Sequence, residues 1–319
     1  MTRIASIELG THTARLLIAT TTGDPCLFTP LTRERRTIRL SEGLGAGPPG
    51  MIRDPAVQRA VEAIGDFERR VREEGAAIVR AVSTGITRTV DNREELLRAI
   101  LDRTGVRLGT VTGEEEAELT ARGVLHALER PAGGFAIFDL GGGTTEFVLG
   151  SADAAEGMEI RSLPVGASML KEAFLPDDPP DRGSLRMLAA RVDALLGQGL
   201  AGLPGFRTPP WIIGTGGTAT TLAAMIHGID VAKIEPERMN GLALEQTALE
   251  RLLDRLIRLP LSERVHLPGL DPGRADVIPA GTLAVLRILD HFRASRMVVC
   301  LSDILEGLLI DHLEGDKHE

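Results

Sequence analysis

Three short stretches join glycine to threonine directly after an apolar run: Gly10-Thr11-His12-Thr13, Gly141-Gly142-Gly143-Thr144-Thr145 and Gly214-Thr215-Gly216-Gly217-Thr218. Glycine lets backbone N–H groups approach an anion with no Cβ in the way, and threonine hydroxyls add donors at the rim. One such turn means little, because glycine punctuates loops for purely geometric reasons. Three in one chain point to phosphate. Acids stand beside them: Glu8 closes the first apolar run, Asp139 is separated from the triple glycine only by Leu140, and Glu146 follows the paired threonines. A hard cation binds carboxylates and phosphate oxygens together, so this pattern suggests a phosphate site with Mg2+, or Mn2+ as the alternative ion. Glu8 and Glu146 taken singly also suit solvated charges or salt bridges. Asp139, at the end of so apolar a run, needs a partner or a metal.

The common nucleotide fingerprints are absent. No Gly-Lys-Ser/Thr follows a glycine loop, and no G-x-G-x-x-G follows the first apolar run.

The elements that must position these residues read as alternating strands and helices. "RIASIEL" and "ARLLIATTTG" flank the first glycine turn as a hairpin, and "RRTIRL" continues the sheet. Asp54 and Pro55 open a helix whose apolar positions Val57, Val61, Ile64, Phe67 and Val71 recur at helical spacing. "AIVRAVS" reads as a strand, and the next helix is capped by Asn92 and closed near Gly105. Thr112 ahead of Glu114, Glu115 and Glu116 reads as a helix start, where exposed amides favour acids.

"ERPAGG", 129–134, breaks the pattern, and the domain boundary is placed near it: a first domain over 1–124 and a second over 125–319, with the last helix able to pack back on the first. After it, strand, glycine-threonine turn and strand recur at Phe135–Gly150 as at Ile4–Thr20. A duplicated α/β plan with two sheets follows.

Composition supports this. The chain has 319 residues, 43% hydrophobic and 25% charged, enough for two cores. A net charge of −9 argues against DNA or general nucleic-acid binding, which draws on a broad basic surface. Cys26 and Cys300 are too few for a disulfide framework or a structural zinc site, and both read as buried fillers. No apolar run approaches the roughly 20 residues that span a bilayer, and the first residues lack a signal peptide's apolar core. The expectation is a cytoplasmic protein with no membrane partner.

"IFDLGGGTTEFVLG", "IIGTGGTATTLAAM", "VTGEEEAELTARGV", "SLPVGASMLKEAFL" and "ERVHLPGLDPGRADVIPAG" resemble, in order and spacing, the exopolyphosphatase and guanosine pentaphosphate phosphohydrolase family, within the actin, heat-shock ATPase and sugar kinase superfamily. The match covers nearly the whole chain and resembles the family's short form. It implies two ribonuclease H-like (actin-like ATPase) domains with the active site in the interdomain cleft. The implied chemistry is Mg2+-dependent release of terminal phosphate from inorganic polyphosphate, or of the 5′ γ-phosphate from guanosine pentaphosphate. A homodimer is compatible with the resemblance.

The family's general base matches Glu116, with Glu115 beside it. By the residues alone, an acidic first turn that complements the helix dipole is the favoured reading. Arg88 in "STGITR" matches a family arginine on phosphate, where a planar, permanently charged fork is apt. Arg39 in "TIRLSEGL" resembles a further family position. In the mechanism so implied, Glu116 orients the attacking water while Asp139 and Glu146, helped by Glu8, hold the metal.

Three departures stand out. The family usually has aspartate where Glu8 stands and an amide where His12 stands, and "LSDILEGLLID" lacks two residues between Asp303 and Glu306. The first two motivate an alternative function, a non-catalytic sensor that binds polyphosphate or a guanosine alarmone.

Overall fold

The computed structural model describes residues 2–21, 28–44, 50–128, 133–151, 157–203 and 211–315; Cys26 and 129–132 of the expected boundary segment lie outside them. The chain divides into two compact units, Met1–Gly123 with Asp303–Glu319, and Val124–Ser302. Each holds one sheet flanked by helices, the expected α/β class.

In the first unit the elements run β1 (Arg3–Leu9), β2 (Thr13–Thr21), β3 (Phe28–Thr37), α1 (Asp54–Glu73), β4 (Ala77–Ser83), α2 (Arg93–Thr104), β5 (Gly109–Thr110) and α3 (Gly113–Ala127). The sheet order is β3-β2-β1-β4-β5; β1 is antiparallel to β2 and parallel to β4. Helix α1 starts where Pro55 has no N–H to waste, and buries Ala60, Val61, Ile64, Phe67 and Val71 along one face.

Two local expectations change. The third strand begins at Phe28 and stops at Thr37, because the amides of Ile38 and Arg39 both donate to the His12 carbonyl and so leave the ladder. Asn92 stands at the start of α2 but does not cap it: its Oδ1 accepts from the Ile52 amide and its Nδ2 donates to the Ile52 carbonyl, each at 2.9 Å. Its amide pins a loop instead.

The second unit runs β6 (Gly134–Leu140), β7 (Thr145–Ser151), β8 (Glu159–Leu163), α4 (Ala167–Phe174), α5 (Arg182–Gly199), β9 (Trp211–Thr215), α6 (Gly216–His227), α7 (Pro236–Met239), β10 (Ala243–Glu245), α8 (Gln246–Leu256), α9 (Leu261–Arg264), α10 (Ile278–Phe292) and β11 (Arg296–Val299). Its sheet order is β10-β11-β9-β6-β7-β8. Ala136, Phe138, Leu140, Phe147 and Leu149 point into a core with α4, α5 and α10 residues such as Leu170, Leu188 and Val285. Strand alternation therefore turns Asp139 and Glu146 to the other face.

The two sheets share a plan. In each, an antiparallel hairpin carries a third antiparallel strand on one side, while its first strand takes a parallel neighbour on the other: β3-β2-β1-β4 and β8-β7-β6-β9. The repeat legible in the sequence is a repeat of topology.

The chain ends in the first unit with α11 (Ile304–Gly315). Leu305 and Leu309 pack on Ile4, Leu17 and Ala19, while Ile304 and Leu308 pack with Val82, Val111 and Leu119. Asp303 and Glu306 form a reciprocal cap: the Asp303 amide donates to Glu306 Oε2 at 3.0 Å and the Leu305 amide to Asp303 Oδ1 at 3.2 Å.

Candidate active site

In the first unit, alternation along β1 puts Ile4, Ser6 and Glu8 on the face that α11 covers, where Ser6 Oγ donates to the Leu305 carbonyl at 2.8 Å. Glu8 is only 6% exposed, so its charge must be met locally. Both its oxygens are engaged. Thr84 Oγ1 donates to Oε1 at 2.9 Å, and Arg15, its cross-strand partner in the β1–β2 register, donates to Oε2 and also to Asp303. Glu8 is thus charge-compensated within its own unit.

The Gly10–Thr13 turn is closed by the Gly10 amide donating to the Thr13 carbonyl at 3.0 Å. Thr11 Oγ1 accepts from the Ile86 amide at 2.9 Å, and a Cβ on Gly85 (φ +63°) would overlap that hydroxyl. The turn is therefore locked to the 3₁₀ turn Gly85–Arg88. His12 is buried, with its carbonyl holding Ile38 and Arg39, and Thr13 starts β2. Arg88 ends the 3₁₀ turn, and its Nη1 donates to the carboxylate of Glu116, which is 6% exposed. Glu115 faces outward. Its carboxylate accepts from the Thr112 amide at 2.7 Å while its own amide donates to Thr112 Oγ1 at 3.1 Å, a capping box that occupies it structurally.

In the second unit, Asp139 and Glu146 are cross-strand partners on the face away from the large core, 7% and 2% exposed. Ser162 Oγ donates to Glu146 Oε1 at 2.8 Å. Two buried carboxylates facing each other on adjacent strands repel, and each must be met by its surroundings. The Gly141–Thr144 turn closes like the first, Gly141 amide to Thr144 carbonyl at 3.0 Å. Its carbonyls are then consumed: Gly141 accepts from the Ala167 amide at 2.9 Å, and Gly142 from Ser168 and Met169 at 3.0 Å each. A Cβ on Gly166 would overlap Gly142 and Gly143, so α4 can seat itself there only through glycine. Thr145 Oγ1 donates to the Val165 carbonyl. With the Gly141 and Gly142 carbonyls turned into α4 and that of Thr144 closing the turn, the loop offers a ligand mainly N–H and hydroxyl groups.

The third loop joins the second through the sheet. β6 and β9 pair parallel, with Phe138 opposite Gly214 and Asp139 opposite Thr215. Gly216, at φ +82°, opens α6, and a Cβ there would overlap the Asp139 carboxylate. The first amides of α6, from Gly216 to Thr218, have no intrahelical acceptor, a geometry able to receive a negative charge. Thr215 Oγ1 is fully buried with no hydrogen-bond partner among the described residues. Thr218, 2% exposed, follows on the first turn.

The expected residues thus assemble by unit: Glu8, Thr11, His12, Thr13, Arg88 and Glu116 in the first, Asp139, Gly141–Thr145, Glu146 and Gly214–Thr218 in the second. Two groups were not anticipated. Arg274 is 7% exposed, with its guanidinium so close to Gly217 that a Cβ there would overlap it. Its loop, "GLDPGRAD", drew notice as a segment, but no spacing tied the arginine to a glycine turn far away in the chain. Arg15 lies in a stretch whose pattern gives only a strand; the signal available is its position opposite Glu8 across a short turn.

Among the described residues no group of three or more His, Cys, Asp and Glu side chains is arranged to hold a metal ion. The all-oxygen pair Asp139 and Glu146 nevertheless fits a hard cation that keeps waters and takes further ligands from phosphate. Glu8, with Arg15 and Thr84 on its two oxygens, does not fit as a direct ligand.

A family model described as the Ppx/GppA phosphatase family matches residues 17–315. The chain belongs to this family. It is 32% identical over 324 residues to exopolyphosphatase 2 of Mycobacterium tuberculosis, covering 97% of this chain and 98% of that protein. The crystal structure of an exopolyphosphatase from Cytophaga hutchinsonii is similar with a TM-score of 0.85 at 26% identity, covering 98% of each chain. That of the Aquifex aeolicus Ppx/GppA family member is similar with a TM-score of 0.76 at 26% identity, covering 100% of this chain and 99% of that one. The α/β architecture with two sheets is accordingly that of a Ppx/GppA protein, with two actin-like domains. No helix among the described residues is long and apolar enough to cross a membrane.

Proposed function

We propose that this Ppx/GppA protein is a metal-dependent phosphohydrolase that releases terminal orthophosphate from inorganic polyphosphate, or the 5′ γ-phosphate from guanosine pentaphosphate. The observation that carries it is the pairing of two glycine–threonine loops, 141–145 and 214–218, with two buried carboxylates. Such a cradle suits a phosphate that arrives with a cation.

Glu116 holds the attacking water and takes its proton as the water oxygen bonds to phosphorus. The anhydride P–O bond breaks, orthophosphate leaves, and the remaining chain or guanosine tetraphosphate carries away the negative oxygen. Arg88, ion-paired to Glu116, fixes that carboxylate and brings a permanent positive charge toward the equatorial oxygens. The amides of the glycine loops and the Thr144 and Thr218 hydroxyls orient flanking phosphates, and Arg274, seated on Gly217, adds positive charge there. Mg2+ or Mn2+, held by Asp139 and Glu146, would neutralise phosphate oxygens.

The test is phosphate release from short polyphosphate, long polyphosphate and guanosine pentaphosphate under matched Mg2+, Mn2+ and chelator. Release that needs metal and falls about a thousandfold in Glu116→Gln, with ligand binding retained, supports the proposal. Ligand-dependent thermal stabilisation with no release from any substrate would replace it with the sensor reading.

A further inference from the structure

A second basic feature of the second unit lies outside the glycine loops. A pocket of about 550 Å³ is lined by Arg251, Asp254, Arg255, Arg258, Leu259, Glu263 and Leu267. Arg251 and Arg255 belong to α8, and Arg258 lies just past its end, a spacing that puts all three along one side.

None of the three guanidinium groups takes part in an ion pair among the described residues. The arginines of α1 behave differently: Arg69, Arg70 and Arg72 each meet a carboxylate, Asp66, Glu74 and Glu68. The dipole at the end of α8 accounts for cations at Arg255 and Arg258, but neither for Arg251 nor for the concavity between them. In a chain of net charge −9, three unneutralised guanidinium groups around one pocket form a local positive field, which concave walls concentrate.

We propose that this pocket binds a linear oligophosphate anion. Helical rise separates Arg251 from Arg255 by about 6 Å and from Arg258 by about 10 Å. A single phosphate cannot bridge that length, whereas a chain with a charge at every unit can. Asp254 and Glu263 share the lining and repel weakly charged anions, so only a ligand reaching all three forks offsets them. The choice of oligophosphate rests on the phosphohydrolase reading; the existence of an anion pocket does not. For that enzyme, the pocket is a second holding point for a long substrate.

The experiment compares wild type, the triple variant Arg251→Gln/Arg255→Gln/Arg258→Gln, and a charge-matched control, Arg69→Gln/Arg72→Gln/Arg122→Gln, with circular dichroism confirming the fold of each. Inorganic tripolyphosphate and long polyphosphate are titrated calorimetrically in chelator, and phosphate release is then measured in Mg2+. A metal-independent binding event in wild type and the control that is lost in the α8 variant is expected. With long polyphosphate the α8 variant should show a KM about tenfold higher at unchanged kcat, the loss expected from removing charge-assisted contacts. Equal titrations in wild type and the α8 variant, or an equal loss in the control, overturn the pocket. Absence of phosphate release from wild type overturns the phosphohydrolase reading alone, since the titrations still report the arginines.

Discussion

The two hairpins β1–β2 and β6–β7 differ most at one cross-strand position. Each has an acid one residue before the strand's end, a leucine, then a glycine turn closed by the same amide-to-carbonyl bond at 3.0 Å. Opposite Glu8 stands Arg15; opposite Asp139 stands Glu146. The first hairpin closes its own charge account, with Thr84 and Asp303 completing the network. The second sets two buried acids opposite each other on adjacent strands. From one duplicated plan, a single residue pair gives one turn an acid–arginine pair and the other an acid–acid pair, and the proposed cation site rests on the second. Acids beside glycine loops are therefore not equivalent candidates for a metal.

The largest effect expected on that contrast comes from Glu146→Arg, which gives the second hairpin the pairing of the first. Metal-dependent phosphate release should drop about a thousandfold, the worth of several kcal/mol of charge stabilisation. The rise in melting temperature on adding Mg2+ should vanish as well, whereas Glu8→Gln should retain it. Retention of metal-linked stabilisation in Glu146→Arg would break the comparison.

Arg15→Gln attacks the other side. It leaves Glu8 and Asp303 without their shared cation, and urea unfolding should show a loss of about 3 kcal/mol, since stripping a mostly buried acid of its partner costs that much. Mg2+ should not restore it.

Gly216→Ala is expected to cost about 1–3 kcal/mol, because it combines a left-handed backbone with overlap on Asp139. Gly85→Ala, at φ +63° against Thr11 Oγ1, should cost a similar amount with less effect on metal response. Denaturant midpoints with and without Mg2+ distinguish the two.

The smallest effect is a pH dependence confined to the second unit. Partial desolvation by its neighbours holds the imidazole of His291, an exposed residue, below its ordinary range, against the pull of Asp193. Its neutral form is therefore favoured by folding. Stability is complete above the unfolded-state value of about 6.5 and declines as pH falls through it, because the unfolded chain takes up the proton first. Urea midpoints at neutral and mildly acidic pH should show this decline in wild type and a shallower one in His291→Gln.

Much of the candidate site is legible in order along the chain. The glycine turns announced themselves through composition, and Asp139 through its apolar surroundings. Glu116 is a different case: periodicity on α3 could not separate it from Glu115, and only packing shows one buried against Arg88 and the other spent on a cap. Asn92 shows the same limit, since its type fits a cap and its tertiary neighbour Ile52 claims it. Arg274 was illegible because its partner, Gly217, is remote in sequence.

By itself the sequence determined the α/β class, the duplicated hairpin and the chemistry of its turns, because these depend on strand alternation, glycine and neighbouring residues. Tertiary structure decided which acids are already neutralised, which loops share a sheet edge and which arginines stand against them. The reason is that a buried charge is settled by whatever comes within a few ångströms, and those neighbours are chosen by strand register and helix packing rather than by proximity along the chain.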